Sequence, residues 1–387
     1  MPKAWERSLE RWHSAGFIDA ATAGRIRAWE EEAEGGHRLR WPVWVALGFG
    51  AIMVAAGILL FIAAHWERLS PSERFSLVLV MVALFHVLGA FLRERFPAMS
   101  MGMHAVGTAV LGGGIALAGQ IFNLQEHWPG GIMLWALGAW LGWWLLRDWP
   151  QGVLAAILTP AWLVSEWVEA THTYWDFDRV ASQGLLLLAI TYFTAATGEK
   201  KPPLMRGLQS IGGLALFPCA IALAMHDWDR SSWYYGQHKL PVSSAIIVAG
   251  WVLSLTLPLL LAWILRRERA WMNAAFALWA VALGSIHRYE GGNIFLMLFH
   301  ELGPYALCGL GAIGLIWWGV AEHRKERINM GMAGLALTVI VFYFGDVMDK
   351  LGRSESLIGM GILFLLGGWM LEKTRRRLVG KVRSASA

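Results

Sequence analysis

The sequence predicts an all-α, polytopic transmembrane helical bundle of about 12 spans, with a short N-terminal cytoplasmic helical hairpin. Three observations lead to this fold class. Hydrophobic residues make up 56% of the 387 residues and charged residues only 16%, a balance typical of multi-pass membrane proteins. The 24 Trp residues greatly outnumber the 7 Tyr, and Trp favours the headgroup level of a bilayer. Finally, residues 44–64 form an uncharged apolar stretch, long enough to cross a hydrocarbon core about 30 Å thick.

Residues 1–40 form the predicted hairpin. Their apolar residues recur at near-helical spacing, and Gly16 and Asp19 mark a turn in which Asp19 caps the second helix. A run of acidic residues followed by Gly35 and Gly36 reads as a solvated helix end and a hinge. We expect the hairpin to dock on the membrane domain (41–372) or on a partner, and we predict a basic cytoplasmic tail at 373–387.

The membrane domain is predicted from a series of apolar stretches separated by polar, often Trp-containing edges. The shortest of the twelve is the fourth. Residues 293–303 read as an interfacial or re-entrant piece ahead of Pro304. The predicted spans are 43–64, 74–92, 103–122, 130–146, 151–168, 180–197, 207–225, 242–265, 270–286, 304–320, 328–347 and 356–371.

The distribution of basic residues predicts the orientation. If the N-terminus is cytoplasmic, 25 of the 33 Lys and Arg residues lie on the inner side and 8 on the outer side. Positive charge on the inner side is the normal rule for multi-pass proteins, so both termini should be cytoplasmic. No basic patch with stacking aromatics stands on a soluble segment, and we therefore exclude nucleic acid as a partner.

Small residues and prolines occur inside the predicted helices. Glycines such as Gly107, the run 112–114 and Gly212 let helix backbones approach closely in lipid. Three prolines remove backbone hydrogen bonds within spans five, seven and eight, and each predicts a kink: Pro160, Pro218 and Pro258. His86 is an ionisable residue inside the second span, and we expect it to be bonded within the bundle.

The sharpest functional hypothesis concerns polar residues at the predicted outer edges of the spans. The candidate ligand-binding residues are His65, Gln120, Asn123, His127 and Glu166. The two amides would orient a ligand, while the histidines and the glutamate would supply charge or proton exchange. The alternative is ordinary interface chemistry, since a polar tip beside a belt tryptophan suits the membrane edge. His65 in particular fits a belt residue.

The sequence indicates no catalytic site, no metal site and no cofactor. It contains no phosphate-binding loop, nucleophile elbow, kinase motif set or haem motif. The histidines are scattered over several loops, without metal-ligand spacing on one helix. Cys219 and Cys308 lie in apolar runs and read as small buried hydrophobes. An intramembrane enzyme is therefore only the third interpretation of the sequence, after the two functions given below.

Three stretches carry a resemblance to a known family. The opening LERWHSAGFIDAATAGRIRAWEEE, the first span ending Ala-Ala-His-Trp, and the Gly-rich third span ending Gln-Ile-Phe resemble a bacterial family of predicted multi-pass membrane proteins of unknown function. In that family asparagine usually stands at the position of His65. The resemblance extends to about residue 150 and returns in the last two spans. It implies a bacterial cytoplasmic (inner) membrane and no catalytic residues.

Together these observations predict two functions. The first is the transport or handling of a small or lipidic molecule, with an outward-facing polar vestibule; the expected partners are then membrane lipids and a small-molecule ligand. The alternative is a non-transporting membrane scaffold or envelope-stress component that binds a cytoplasmic protein through the N-terminal hairpin.

Overall fold

The computed structural model describes most of the chain. The described residues are 4–37, 53, 69–121, 127–172, 178–196, 202–224, 242–286, 294–344 and scattered positions between 358 and 373. The chain divides into two compact units, 1–74 and 75–387. His65, Asn123, the predicted span 43–64 and most of the span 356–371 lie outside the described residues.

All regular elements in the described residues are helices. A single 3₁₀ turn, Arg267–Arg269, separates the ninth and tenth of them. In chain order the helices are α1 (Ala4–Ser14), α2 (Ala20–His37), α3 (Pro71–Leu92), α4 (Pro97–Ile121), α5 (Pro129–Leu146), α6 (Trp149–Thr171), α7 (Arg179–Thr194), α8 (Pro203–Ala224), α9 (Ser244–Arg266), α10 (Trp271–Ser285), α11 (Ile294–Ala321) and α12 (Lys325–Phe342).

The first unit contains α1 and α2, separated by a turn at Gly16. Gly16 has φ of 74°, a left-handed conformation that glycine adopts without steric cost. Asp19 caps α2 as predicted, because its carboxylate accepts the backbone N–H of Thr22 at 3.1 Å. Hydrogen bonding to the side chain and then to the backbone N–H of Thr22 lowers the pKa of Asp19. The arrangement of the two helices as a cytoplasmic hairpin remains a prediction.

The start of α3 is encoded by the sequence Ser-Pro-Ser-Glu. Glu73 accepts the backbone N–H of Ser70 at 2.7 Å, and the Ser70 hydroxyl accepts the Glu73 N–H at 3.4 Å. This reciprocal capping box satisfies two backbone donors that a helix start leaves free. Pro71 occupies the first helical position, where no N–H is needed. The helix therefore begins three residues before the predicted span.

Seven helices in the described residues are long and apolar enough to cross a membrane: α3, α4, α5, α6, α8, α9 and the 302–321 part of α11. Five of the twelve predicted spans are thus not among them. Two fall on short helices of 16 and 15 residues, α7 and α10. A third falls on α12, which opens with the charged triplet Lys325, Glu326 and Arg327. The other two lie wholly or largely outside the described residues.

The segment ahead of Pro304 is helical in the structure. Residues 294–303 belong to α11, one continuous helix of 28 residues with Pro304 inside it. Proline lacks the N–H that would bond four residues back, and a membrane helix tolerates this loss where neighbouring groups or local adjustments of the helix satisfy the freed carbonyl. The position of residues 293–303 relative to the membrane, interfacial or re-entrant, stays a prediction.

Large apolar side chains remain exposed on the outside of the helices. Phe91 is 81% exposed, Leu214 82% and Leu278 74%. In water such a surface would be unfavourable, whereas lipid tails solvate it as well as a protein core does. Together with the seven apolar helices, this surface identifies the chain as a helical membrane protein.

The best-buried helix is α7, although it is short. Eleven of its residues are buried. Leu186, Leu187, Ile190 and Phe193 form the centre of the largest core cluster, together with residues of α8, α10 and α11. The same helix carries buried polar side chains, among them Gln183 and Thr194. Its low accessibility shows that α7 is packed on several sides by other helices.

The contact between α7 and α8 depends on a glycine. A Cβ atom on Gly212 would lie 2.4 Å from the Ala189 carbonyl oxygen and 2.4 Å from the Phe193 backbone nitrogen. Both neighbours are backbone atoms of α7, which cannot move aside as a flexible side chain can. Gly212 therefore permits the close backbone approach expected of small residues in membrane helices.

Gly212→Ala should destabilise the bundle by about 1–3 kcal/mol, because the added methyl group overpacks the α7–α8 contact. The measurement is the thermal unfolding midpoint of the full chain in detergent. The matched control is Gly113→Ala on α4, since a Cβ at Gly113 meets nothing within 4 Å. Equal midpoints for the two variants would contradict the close α7–α8 approach.

Candidate functional site

Two of the predicted ligand-binding residues are neighbours. His127, just before α5, lies with its Nε2 atom 3.1 Å from the Glu166 Oε1 atom of α6. The His127 side chain is 55% exposed and that of Glu166 34%, so water or headgroups screen the pair strongly. Gln120 is exposed near the end of α4. The ligand-binding role of these residues remains a prediction.

Two tryptophans bond to carboxylates at and next to this pair. Trp162 Nε1 donates to Glu166 Oε1 at 2.7 Å, and Trp128 Nε1 donates to Glu169 Oε2 at 2.7 Å. The Glu166 carboxylate therefore already has two partners from the protein. This geometry is that of a belt in which indole N–H groups and carboxylates pair at the membrane edge.

A larger feature lies beside α7. A cavity of about 450 Å³ is bordered by α5, α6, α7, α8 and α9, within the usual range of ligand pockets, about 300–1,000 Å³. Its lining on α6 runs from Gly152 to Trp167. Fifteen residues of helical rise correspond to about 22 Å, so the cavity is elongated along the helix axes. Most of its lining side chains are aliphatic or aromatic.

The hydroxyl groups of the lining are already bonded within the protein. The Thr159 hydroxyl donates to the Ala155 carbonyl at 2.7 Å and accepts the Trp140 N–H at 2.9 Å. The Ser254 hydroxyl donates to the Trp251 carbonyl at 3.1 Å. These groups therefore present little free hydrogen-bonding capacity to an occupant, and the cavity suits an apolar molecule.

Two of the predicted kink prolines, Pro160 and Pro258, line this cavity. Pro160 has no N–H, which leaves the carbonyl of Ala156 without its helical donor. The Tyr192 hydroxyl of α7 supplies one instead, at 2.9 Å. On α9, the carbonyl of Pro258 accepts the Thr191 hydroxyl at 3.3 Å. Side chains of α7 thus satisfy backbone groups of both proline-containing helices.

A buried charge cluster lies where the ends of four helices meet. Its centre is Glu322, directly after α11, whose carboxylate binds both Arg266 at the end of α9 and Arg327 in the first turn of α12. All three side chains are at most 4% exposed. Both arginines also donate to the carbonyl of Thr194 at the end of α7, at 2.6 and 3.2 Å.

Trp318 completes the cluster. Its Nε1 donates to Glu322 at 2.8 Å, and both guanidinium groups lie over its ring, at 4.8 and 5.0 Å from the centroid. Burial acts to raise the pKa of Glu322, but Arg327, the Trp318 N–H and Arg266 outweigh it and hold the pKa below the usual 4.5. The ends of α7 and α11 add partial negative charge, about half a unit each, which offsets the second arginine.

The comparisons with known proteins locate a family match in the first part of the chain. Residues 10–152 match the family model described as "Predicted membrane protein (DUF2157)". The predicted family resemblance is confirmed. No curated protein and no solved structure matches the chain. The cavity and the charge cluster thus lie largely beyond the DUF2157 match, which ends at the start of α6.

The segment that matches DUF2157 contains a pair of histidines with a repeated pattern. His86 of α3 and His104 of α4 are each followed three residues later by glycine, Gly89 and Gly107. A Cβ on Gly89 would lie 2.8 Å from the His104 ring, and one on Gly107 would lie 2.9 Å from the His86 ring. Each histidine therefore packs on the glycine of the other helix.

The histidine pair is hydrogen-bonded, as predicted for His86. The two Nδ1 atoms are 3.1 Å apart, so one ring donates and the other accepts. Gln151 extends the network: its Nε2 donates to the His104 carbonyl at 2.9 Å, and its Oε1 accepts the Thr108 hydroxyl at 3.0 Å. Within the described residues, no three His, Cys, Asp or Glu side chains are grouped to hold a metal ion.

Sequence reasoning missed the charge cluster and one of the two histidines. Arg266 and Arg327 were counted among the basic residues of the predicted inner loops, and both are buried. Nothing in their spacing distinguishes them, because arginines are common at inner helix ends in any case. His104 did carry a signal, since His-x-x-Gly occurs in two consecutive spans. The carbonyl freed by Pro160 predicted that a donor is needed but could not predict Tyr192.

Glu322→Gln should destabilise the chain by about 3–5 kcal/mol, because it leaves buried guanidinium charge uncompensated. The measurement is the free energy of unfolding of the full chain in mixed detergent micelles. Glu94→Gln, at an exposed glutamate between α3 and α4, is the matched control and should stay within about 0.5 kcal/mol of the unmodified protein.

The unmodified protein and Glu322→Gln also provide a test by pH. Because the pKa of Glu322 is lowered by folding, its contribution is complete above the usual pKa of 4.5 and is lost as the pH falls through the lowered value. The difference in unfolding free energy between the unmodified protein and Glu322→Gln should therefore be constant from neutral pH to about pH 5 and shrink below it. A difference that shrinks already near neutrality would contradict the buried ion pairs.

Proposed function

We propose that this membrane protein binds the hydrocarbon chain of a lipidic molecule in the cavity beside α7. The observation that carries the proposal is an apolar cavity of about 450 Å³, elongated along the helix axes. Lipidic molecules are the apolar compounds that a bilayer supplies at high local concentration. The proposal is the lipid-handling form of the first function that the sequence predicts.

The shape of the cavity favours an extended chain over a compact solute. Its lining extends along α6 from Gly152 to Trp167, and along α9 from Gly250 to Leu265. Each distance is about 22 Å of helical rise, most of the thickness of a hydrocarbon core of about 30 Å. A chain lying along these helices would run parallel to the lipid tails outside.

The lining opens to the outside of the bundle. Trp140 is 46% exposed, Leu253 46% and Leu257 41%, although all three border the cavity. A chain could therefore enter sideways from the bilayer without crossing a polar barrier. Polar solutes and ions would lose their hydration in this cavity and find few groups to replace it, which argues against them as cargo.

A second candidate is the scaffold function of the N-terminal helices. One observation favours it: within the first unit, Phe17 is 81% exposed and Trp29 66%. Exposed aromatic residues are frequent anchors of protein interfaces. A scaffold would keep its function when the cavity is filled, whereas a lipid-handling protein would lose it.

Filling the cavity provides the test. In Ala156→Phe, a ring is added on the cavity side of α6, and chain binding should fall by about tenfold or more through steric exclusion. The measurement is photolabelling of the full chain in lipid nanodiscs with a diazirine-bearing fatty acyl probe, followed by peptide mapping. The unmodified protein should show labels concentrated on α6, α7 and α9.

The matched control is Ala275→Phe on α10, where the alanine is exposed and does not line the cavity. It should label as the unmodified protein does. Labels spread evenly over all lipid-exposed helices, or unchanged labelling of Ala156→Phe, would show that the cavity holds only passing bilayer lipid.

A further inference from the structure

One end of the cavity lies among four helix ends. There α5 ends, α6 begins, α8 begins and α9 ends. The lining residues nearest to these ends are Trp143, Gly152, Leu204 and Leu265. The described charged residues that adjoin this end of the lining in the chain are Arg147, Asp148, Arg206 and Arg267.

The two ends of the cavity carry opposite charge in sequence. At the first end, the described residues 147–148, 202–206 and 267–269 contain four basic and two acidic residues. At the other end, the last turns of α6 and the start of α7 (166–172 and 178–179) contain three acidic residues and one basic residue. An elongated molecule with an apolar chain and a negative group is thus favoured in one direction only.

Arg147 connects the basic end to the cavity wall. It follows α5 in a left-handed conformation with φ of 57°, held by a hydrogen bond from its N–H to the Trp143 carbonyl at 2.9 Å. Its guanidinium carbon lies 5.7 Å from the centre of the Trp143 ring, and Trp143 lines the cavity. An exposed cation therefore stands directly beside the apolar wall.

Two further arginines complete the basic end. Arg206, in the first turn of α8, and Arg267, just after α9, are exposed. Met205 and Leu265 line the cavity. Arg206 directly follows Met205 in the chain, and Arg267 lies two residues after Leu265. Arg266 is excluded from this role, because it is buried and bound to Glu322.

We propose that the occupant of the cavity is an anionic phospholipid whose phosphate is bound by Arg147, Arg206 and Arg267. This inference rests on the proposed function and adds the headgroup and the direction of the bound chain. Guanidinium groups pair well with phosphate oxygens, and basic pockets between membrane helices bind anionic headgroups. The acidic residues Glu166 and Glu169 at the end of α6, with Asp178 before α7, disfavour the reverse orientation.

The test measures displacement of the photoprobe by lipids that share their acyl chains. In nanodiscs of the full chain, phosphatidylglycerol should displace the probe from α6, α7 and α9 more effectively than phosphatidylcholine. The preference for phosphatidylglycerol over phosphatidylcholine should fall about fivefold in Arg147→Gln and about fivefold in Arg206→Gln. Arg95→Gln, at an exposed arginine between α3 and α4, is the matched control and should retain the preference.

The outcomes separate the two proposals. Equal displacement by both phospholipids, or an unchanged preference in Arg147→Gln with Arg206→Gln, overturns the headgroup inference while chain binding stands. If inorganic phosphate alone displaces the photoprobe, the bound phosphate need not belong to a lipid, and the inference of a phospholipid headgroup is wrong. Absence of concentrated labelling in the unmodified protein overturns the proposed function and the headgroup inference with it.

Discussion

The shared carboxylate of Glu322 is the interaction on which the membrane bundle most depends. It joins α9, α11 and α12, and through the Thr194 carbonyl the same arginines also bind the end of α7. An apolar medium offers no water to replace a lost partner, so buried polar groups must be satisfied inside the protein. Because every member of this cluster contacts at least two others, the four helix ends are fixed at one level.

The short helix α7, whose end is held by this cluster, packs in two different environments. One side packs into the largest core cluster, with Leu186 and Ile190 almost fully buried. Another side borders the cavity and, through Tyr192, donates to the backbone that Pro160 leaves open. The Ala156 carbonyl on the cavity side of α6 is therefore paired within the protein, and the space between α6, α7 and α9 is lined mainly by apolar side chains.

Local sequence signals predicted the helices better than their contacts. The apolar stretches, the Asp19 cap and the family resemblance were readable because each depends on neighbouring residues in the chain. The sequence left open whether 293–303 is a separate piece. The structure shows 294–303 in one helix with Pro304, because a proline inside a membrane helix is tolerated where neighbouring groups satisfy the freed carbonyl. The burial of Arg266 and Arg327 could not be predicted, because it depends on which helix ends meet. The cavity could not be predicted for the same reason, because its walls come from five helices.

The most direct test of this account is an electron cryo-microscopy structure of the full chain in nanodiscs that contain phosphatidylglycerol and phosphatidylcholine. The account predicts an elongated density between α6, α7 and α9, continuous with a headgroup beside Arg147. A cavity closed by side chains would contradict the binding of a chain. A chain whose headgroup lies at the acidic end of α6, beside Glu166 and Glu169, would contradict the proposed direction.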